Sequence, residues 1–299
     1  MGVEFFFIVS GFVMTYNYKT KIKEIPSGIF LVKRISKLIP VAVLSALIGF
    51  LLSTINNQLG YGLTLVNKPI RLSNLIMSLL FVNNGWFVNS FNAYGSGTWF
   101  LNVLLLCYIV WLVMAKLVKT DKQYTVVCVL LAILGLACMR LNLNIPFLYT
   151  TSGRGYFNFF FGCLLCQLLE QKRNYVWVFT TVGLVVGILT KNIAMLFSIV
   201  VCPTLIYFAL YIKPVKKILS SKLFKKSVPY TMCIYLTHVL IIAGLVMLDR
   251  YFMLHIRFDS ILVMLMVFVI CFLVAIACHF AIELPANNRI VKMITKNDR

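Results

Sequence analysis

The chain has 299 residues, 61% of them hydrophobic and only 12% charged, with a formal net charge of +20 and a mean hydropathy of +0.94. A soluble domain has about a quarter of its residues charged, so this composition excludes a water-soluble globular fold, and the long apolar blocks are those that membrane-spanning helices require. The basic excess does not indicate nucleic acid: it sits in short loops between apolar blocks, where topology signals and anionic lipid headgroups account for it.

In chain order, the apolar blocks predict an all-α bundle with nine spans, at 3–18, 38–55, 98–118, 124–139, 156–170, 175–190, 193–212, 230–248 and 259–282. The block 156–170 is short for a span. Residues 75–82, LIMSLLFV, are shorter still and read as interfacial or re-entrant. Charge assigns the sides. Alternate loops starting with 19–37, together with the C-terminal tail, hold 21 of the 28 Lys and Arg residues, and such a bias marks them as cytoplasmic. Counting 156–170 as a span keeps the basic segment 213–227 on that side. The expectation is a multi-pass protein of the plasma membrane, with a cytoplasmic C-terminus and Met1 outside. No basic residue precedes the first span, so its outside start points to a helix missing ahead of it.

Several residue classes carry no site pattern. The nine cysteines (107, 128, 138, 163, 166, 202, 233, 271 and 278) all lie in apolar blocks and read as small hydrophobes; Cys163 and Cys166 have zinc-like spacing, but no second pair stands near them. Three His and eight acids show no ligand spacing, so no metal is expected. The start Met1-Gly2-Val3-Glu4 lacks the basic region of a signal peptide, and Phe6 does not fit a myristoylation site.

Other residues are candidates. Glu4 lies in an apolar segment, where a carboxylate is costly and marks function unless it reaches the interface. Ser10 and Gly11 suit close helix packing. Arg34 and Lys37, three apart, share a face if helical, and Pro40 fits the first turn of the next helix. The two cations are either topology charges or a clamp for phosphates. His238, inside the eighth span, is either a proton relay or a ring bonded to a neighbouring helix's carbonyl. His255 and His279 read as structural or interfacial. Trp99 and Tyr108 are interface anchors, unless Trp99 stacks on a sugar. The loop 83–97, NNGWFVNSFNAYGSG, suits carbohydrate contact and equally a plain external loop. Glu283, before Leu284-Pro285, is expected to position helices or pair with a cation.

The segment GVEFFFIVSGFVMTY (2–16) resembles the second-helix signature of the acyltransferase 3 family, G-V-D-L-F-F-V-x-S-G-F, with Glu4 in place of Asp. The likeness continues in order. FLVKRISKLIP (30–40) resembles the F-x-x-R-x-x-R segment, with Arg34 at the first Arg, Lys37 at the second and Pro40 at the Pro. GTWFLNVLLLCY (97–108) is similar to the W-[SFY]-L segment ending in Tyr, and YFNFFFGCLL (156–165) to the F-x-x-G block. YTMCIYLTH (230–238) resembles S-Y-x-I-Y-L-x-H, and IELP (282–285) the terminal E-x-P.

The family consists of integral-membrane O-acyltransferases, many acting on bacterial surface polysaccharides. The resemblance implies one domain over 1–299 that moves an acyl group, in the first instance acetyl, from cytoplasmic acyl-CoA to a hydroxyl of an extracytoplasmic polysaccharide or lipid-linked sugar. Acyl-CoA is a co-substrate, and no bound cofactor is expected. The partners are acyl-CoA, the glycan and membrane lipids, with no nucleic acid. Arg34 and Lys37 would bind acyl-CoA, Trp99 and Tyr108 the acceptor, while Glu4 and His238 would serve catalysis. Two departures stand out. Relatives have ten spans, and the first carries a basic residue followed by the His proposed as base; nothing here holds that His, so the expectation is an N-terminally truncated chain. Many relatives also have Glu where this chain has Leu104. The rival readings are a glycan or lipid flippase, disfavoured by the absence of echoes of SGF, WFL or YLTH, and an inactive fragment.

Overall fold

The computed structural model describes residues 2–66, 68–87, 94–95, 97–170, 181, 185 and 197–297. These form helices and turns with no strand among the described residues. In order the helices are α1 (Gly2–Tyr18), α2 (Ser27–Ile35), α3 (Ile39–Gln58), α4 (Leu72–Leu79), α5 (Thr98–Leu117), α6 (Asp121–Arg140) and α7 (Thr150–Glu170). A π turn, Phe197–Val201, leads into α8 (Cys202–Tyr211), followed by α9 (Lys213–Leu219), α10 (Lys222–Ser227), α11 (Thr231–Phe252) and α12 (Ile261–Cys278). A second π turn, His279–Glu283, joins α12 to α13 (Leu284–Asn297).

Five helices are long and apolar enough to cross a bilayer: Ile39–Gln58, Thr98–Leu117, Asp121–Arg140, Lys222–Phe252 and Ile261–Ile290. A sixth is reached if Phe197–Tyr211 and Lys213–Leu219, bent by 88°, count as one. The protein is therefore a multi-pass membrane protein with five to six such helices among the described residues, fewer than the nine expected. α1, with 17 residues, sits at the lower limit of length for a span. The block expected at 175–190 lies outside the described residues, apart from Thr181 and Val185. α7 has 21 residues but opens on Thr150, Thr151, Ser152 and Arg154, so only its later part is apolar. α4, with eight residues, is too short to span. Along α12, Ile261, Leu265, Phe268 and Leu273 all face outward; a helix apolar on all sides whose outer face is uncovered fits a lipid surround.

The chain divides into two compact units, each discontinuous in sequence: residues 1–27 with 103–225, and 28–102 with 226–299. In the first unit, α7 packs against both α1 and α6. Gly11 and Gly162 set the α1–α7 approach: a methyl at Gly11 would collide with the carbonyl of Phe159, and one at Gly162 with the carbonyl of Ile8. Only glycine lets the two backbones come this close, which is the packing role that Ser10-Gly11 suggested. Ile8, Phe161, Leu165, Leu169, Cys202 and Ile206 form an apolar cluster beside this contact. α6 begins with a capping box in which Thr120 and Gln123 satisfy each other's backbone N–H groups. In the second unit, α11 packs on α3 and α12, and Ser45 Oγ donates to the Leu236 carbonyl at 2.8 Å. Pro40 stands in the first turn of α3, where a missing N–H costs nothing.

Candidate functional site

In the first unit, Glu4 in α1 is ion-paired with Arg154 in α7, whose Nη2 donates to Glu4 Oε1. The side chain of Glu4 is 6% exposed and that of Arg154 37%. A buried carboxylate persists only with its charge matched, and the guanidinium does this from a helix that the glycine contact brings close. Asn158 Nδ2 donates to the Arg154 carbonyl at 2.8 Å. Arg154 lies ahead of the predicted span 156–170 in the sequence; the structure places it in the first turns of α7. The signal was available, since a carboxylate in an apolar helix demands a cation, and Arg154 stands just ahead of the aromatic run 156–161.

Lower on α1 lies a second polar group. Thr15 Oγ1 donates to the Gly11 carbonyl, so Tyr124 Oη donates to Thr15 Oγ1 at 2.9 Å and accepts from Trp111 Nε1 at 2.8 Å. Lys19 sits over the Tyr124 ring, 5.1 Å from its centroid, and pairs with Asp121 at 2.7 Å. Thr15, Tyr124, Trp111 and Lys19 thus bond to one another or to helix backbone within this unit. Tyr108 is also packed in, buried edge-on to Phe159 with ring centroids 5.9 Å apart.

The other candidates lie in the second unit. Arg34 occupies the last turn of α2 with Lys33 beside it, and cations there complement the helix dipole. The helix ends at Ile35, so Lys37 falls in the following turn instead of sharing a helical face with Arg34. Lys37 is exposed and Arg34 half-buried. Ser36 Oγ between them donates to Asn287 Oδ1 at 2.9 Å, tying this turn to α13.

His238 in α11 places Nδ1 at 3.0 Å from the Ile234 carbonyl and 2.9 Å from the Tyr235 carbonyl. Both partners only accept, so Nδ1 carries the proton and, in the neutral ring, Nε2 keeps its lone pair. Among the described residues, the ring thus bonds to its own helix, not to a neighbouring one. Trp99, in the first turn of α5, is half-buried.

Residues 88–93 and 96 of the expected sugar-contacting loop lie outside the described residues. Its described part is a polar network: Asn102 Nδ2 donates to Asn83 Oδ1 and Asn83 Nδ2 to Ser78 Oγ, both at 3.0 Å, and Trp86 Nε1 donates to the Asn102 carbonyl at 2.8 Å. A small cavity of about 40 Å³ lies nearby, lined among others by Gly49, Ser53, Lys68, Tyr94 and Leu240; this is far below the volume of a ligand pocket.

Glu283, in the second π turn, does not meet a Lys or Arg among the contacts of the described residues. Its Oε2 accepts from His279 Nδ1 at 2.8 Å and from Cys233 Sγ at 3.2 Å.

The profile of the acyltransferase 3 family, described as an acyltransferase domain, matches residues 1–280. No curated protein matches, and no solved structure does. The match runs through both units, and the chain belongs to the acyltransferase 3 family: it is a membrane acyltransferase.

Proposed function

We propose that this acyltransferase takes an acetyl group from cytoplasmic acyl-CoA and esterifies a hydroxyl of an extracytoplasmic polysaccharide or glycolipid at the plasma membrane. The observation that carries this is the buried Glu4–Arg154 pair, an ion pair held inside apolar helices in a chain of an acyltransferase family. Intramembrane charges of this kind default to function. In this reading the carboxylate orients the reacting groups on the acceptor side. Arg34 and Lys37 hold the phosphates of acyl-CoA on the cytoplasmic side, where charge-assisted contacts are strong. His238, with Nε2 free to take a proton, assists proton removal from the hydroxyl. Trp99 stacks on the sugar; Tyr108, packed against Phe159, supports that helix from within. The basic bias of alternate loops underlies the assignment of sides, nine spans and a cytoplasmic C-terminus.

The family match favours group transfer over the flippase reading. Mass spectrometry of the surface glycan after deletion of the gene tests it. The expected outcome is loss of ester-linked acetyl groups from a glycan still exported in normal amount. Unchanged acetylation with a trapped glycan would overturn the proposal in favour of transport.

A further inference from the structure

The structure assigns a divalent-cation site of zinc type to Cys233, His279 and Glu283. One ligand atom from each lies within 4.8 Å of the other two. Cys233 is fully buried, Glu283 is 2% exposed, and the His279 side chain is 14% exposed. Tetrahedral zinc holds S, N and O donors at ~2.0–2.3 Å, which places neighbouring donors ~3–4 Å apart. The observed 2.8 Å between His279 Nδ1 and Glu283 Oε2 and 3.2 Å between Cys233 Sγ and the same oxygen need only small adjustments to fit.

The donor set selects the metal. One thiolate, one imidazole and one carboxylate suit a borderline-soft ion; calcium and magnesium require shells of oxygen ligands. Charge balance also favours it. A dication with one thiolate and one carboxylate is neutral, the condition under which charges are best tolerated in an apolar bundle. Three protein ligands leave the fourth tetrahedral position to water.

The backbone supports the same conclusion. His279–Glu283 is a π turn between α12 and α13, and π turns inside helices concentrate at functional sites. The turn brings His279 and Glu283 to one face, opposite Cys233 on α11. Without metal, the thiol and the imidazole each donate a hydrogen bond to one carboxylate oxygen; ligation releases the thiol proton to water, leaves the imidazole neutral with its proton on Nε2, and replaces two hydrogen bonds by three metal bonds. Lys37 lies within electrostatic reach of Cys233 and opposes a cation there, but its ammonium is exposed and screened by water. Tyr230 covers the imidazole edge-on at 5.3 Å. The metal would staple α11 to the end of α12, a role separate from acyl transfer.

The test uses the full chain in detergent, purified without a polyhistidine tag, stripped with chelator and titrated with Co²⁺. The expected result is about one equivalent bound in tetrahedral form, with a thiolate-to-cobalt charge-transfer band. Cys233→Ser loses that band, and Glu283→Gln and His279→Gln each weaken binding by about tenfold or more. Zinc raises the thermal midpoint of the wild type and not that of Cys233→Ser, whose stripped midpoint checks that it is folded. A chain that takes up no cobalt, or a charge-transfer band that survives Cys233→Ser, overturns the assignment and leaves a hydrogen-bonded cluster.

Discussion

At the residue scale, the two members of the Glu4–Arg154 pair are not equivalent. Glu4 is almost sealed, whereas more than a third of the Arg154 side chain reaches solvent. Removing Arg154 strands a buried carboxylate, and breaking a buried pair from that side costs about 3–5 kcal/mol. Removing Glu4 leaves a guanidinium that can turn outward along its stem, at a cost of about 1 kcal/mol or less. Thermal unfolding in detergent should therefore rank Arg154→Gln well below Glu4→Gln, with the double variant Glu4→Gln/Arg154→Gln recovering most of the loss. Equal losses for the two single variants would show that the pair is not what holds the charge. The cations at the other candidate site make a separate prediction. In the proposed reading each contact of Arg34 or Lys37 with a phosphate is worth about 1.5–3 kcal/mol, so calorimetry should find acetyl-CoA binding weakened roughly ten- to a hundredfold by Arg34→Gln or Lys37→Gln. The wild type should also lose more affinity than the variants as salt is raised; binding indifferent to both substitutions would remove them from the donor site. Glu4 was legible in the sequence because a carboxylate in an apolar run is conspicuous. Its partner was legible only indirectly: the buried carboxylate demands a cation, but the apolar stretch begins after Arg154 and hides the helix that contains it.

At the element scale, the α1–α7 contact depends on two glycines facing backbone. Overpacking a well-packed site costs about 1–3 kcal/mol, and more where the obstacle cannot rotate away. The carbonyls of Phe159 and Ile8 cannot, so Gly11→Val or Gly162→Val should separate α1 from α7, pull Glu4 away from Arg154 and lower both stability and transfer activity. Gly244→Ala in α11, with nothing within 4 Å of the added methyl, is the control and should be neutral or slightly stabilising. If Gly11→Val behaved like Gly244→Ala in a thermal melt, the close approach would be wrong. Most helices were readable from hydropathy, because a span must be long and apolar whatever it packs against. Three features were not. α7 starts at Thr150 with polar first turns, in which Arg154 pairs with Glu4 of α1 and Ser152 bonds back to the Tyr149 carbonyl, and no periodicity reveals this. α2 stops at Ile35, ahead of Pro40, so the face shared by Arg34 and Lys37 dissolves. The π turn at His279 gathers Cys233 from a segment far away in sequence, so no local ligand spacing could announce it.

At the scale of the whole molecule, net charge and its placement are the strongest evidence for orientation. Hydrophobicity decides which segments span, but a helix is equally apolar read from either end, and only the flanking cations distinguish the sides. The segment 213–227 carries six Lys and folds as α9 and α10, both without a buried residue. Their apolar residues Ile218, Leu219, Leu223 and Phe224 are exposed, and the bend of 88° between α8 and α9 turns this stretch off the line of the span. A short basic helix with exposed apolar residues suits the interface of an anionic leaflet, which in the proposed orientation is the cytoplasmic one. A single cysteine placed at Ser220, in a chain whose nine native cysteines are all buried, should therefore resist an impermeant thiol reagent in intact cells and react once the membrane is opened. Labelling from outside would invert the orientation of the bundle, and with it the assignment of acyl-CoA to the Arg34 side and of the glycan to the Glu4 side.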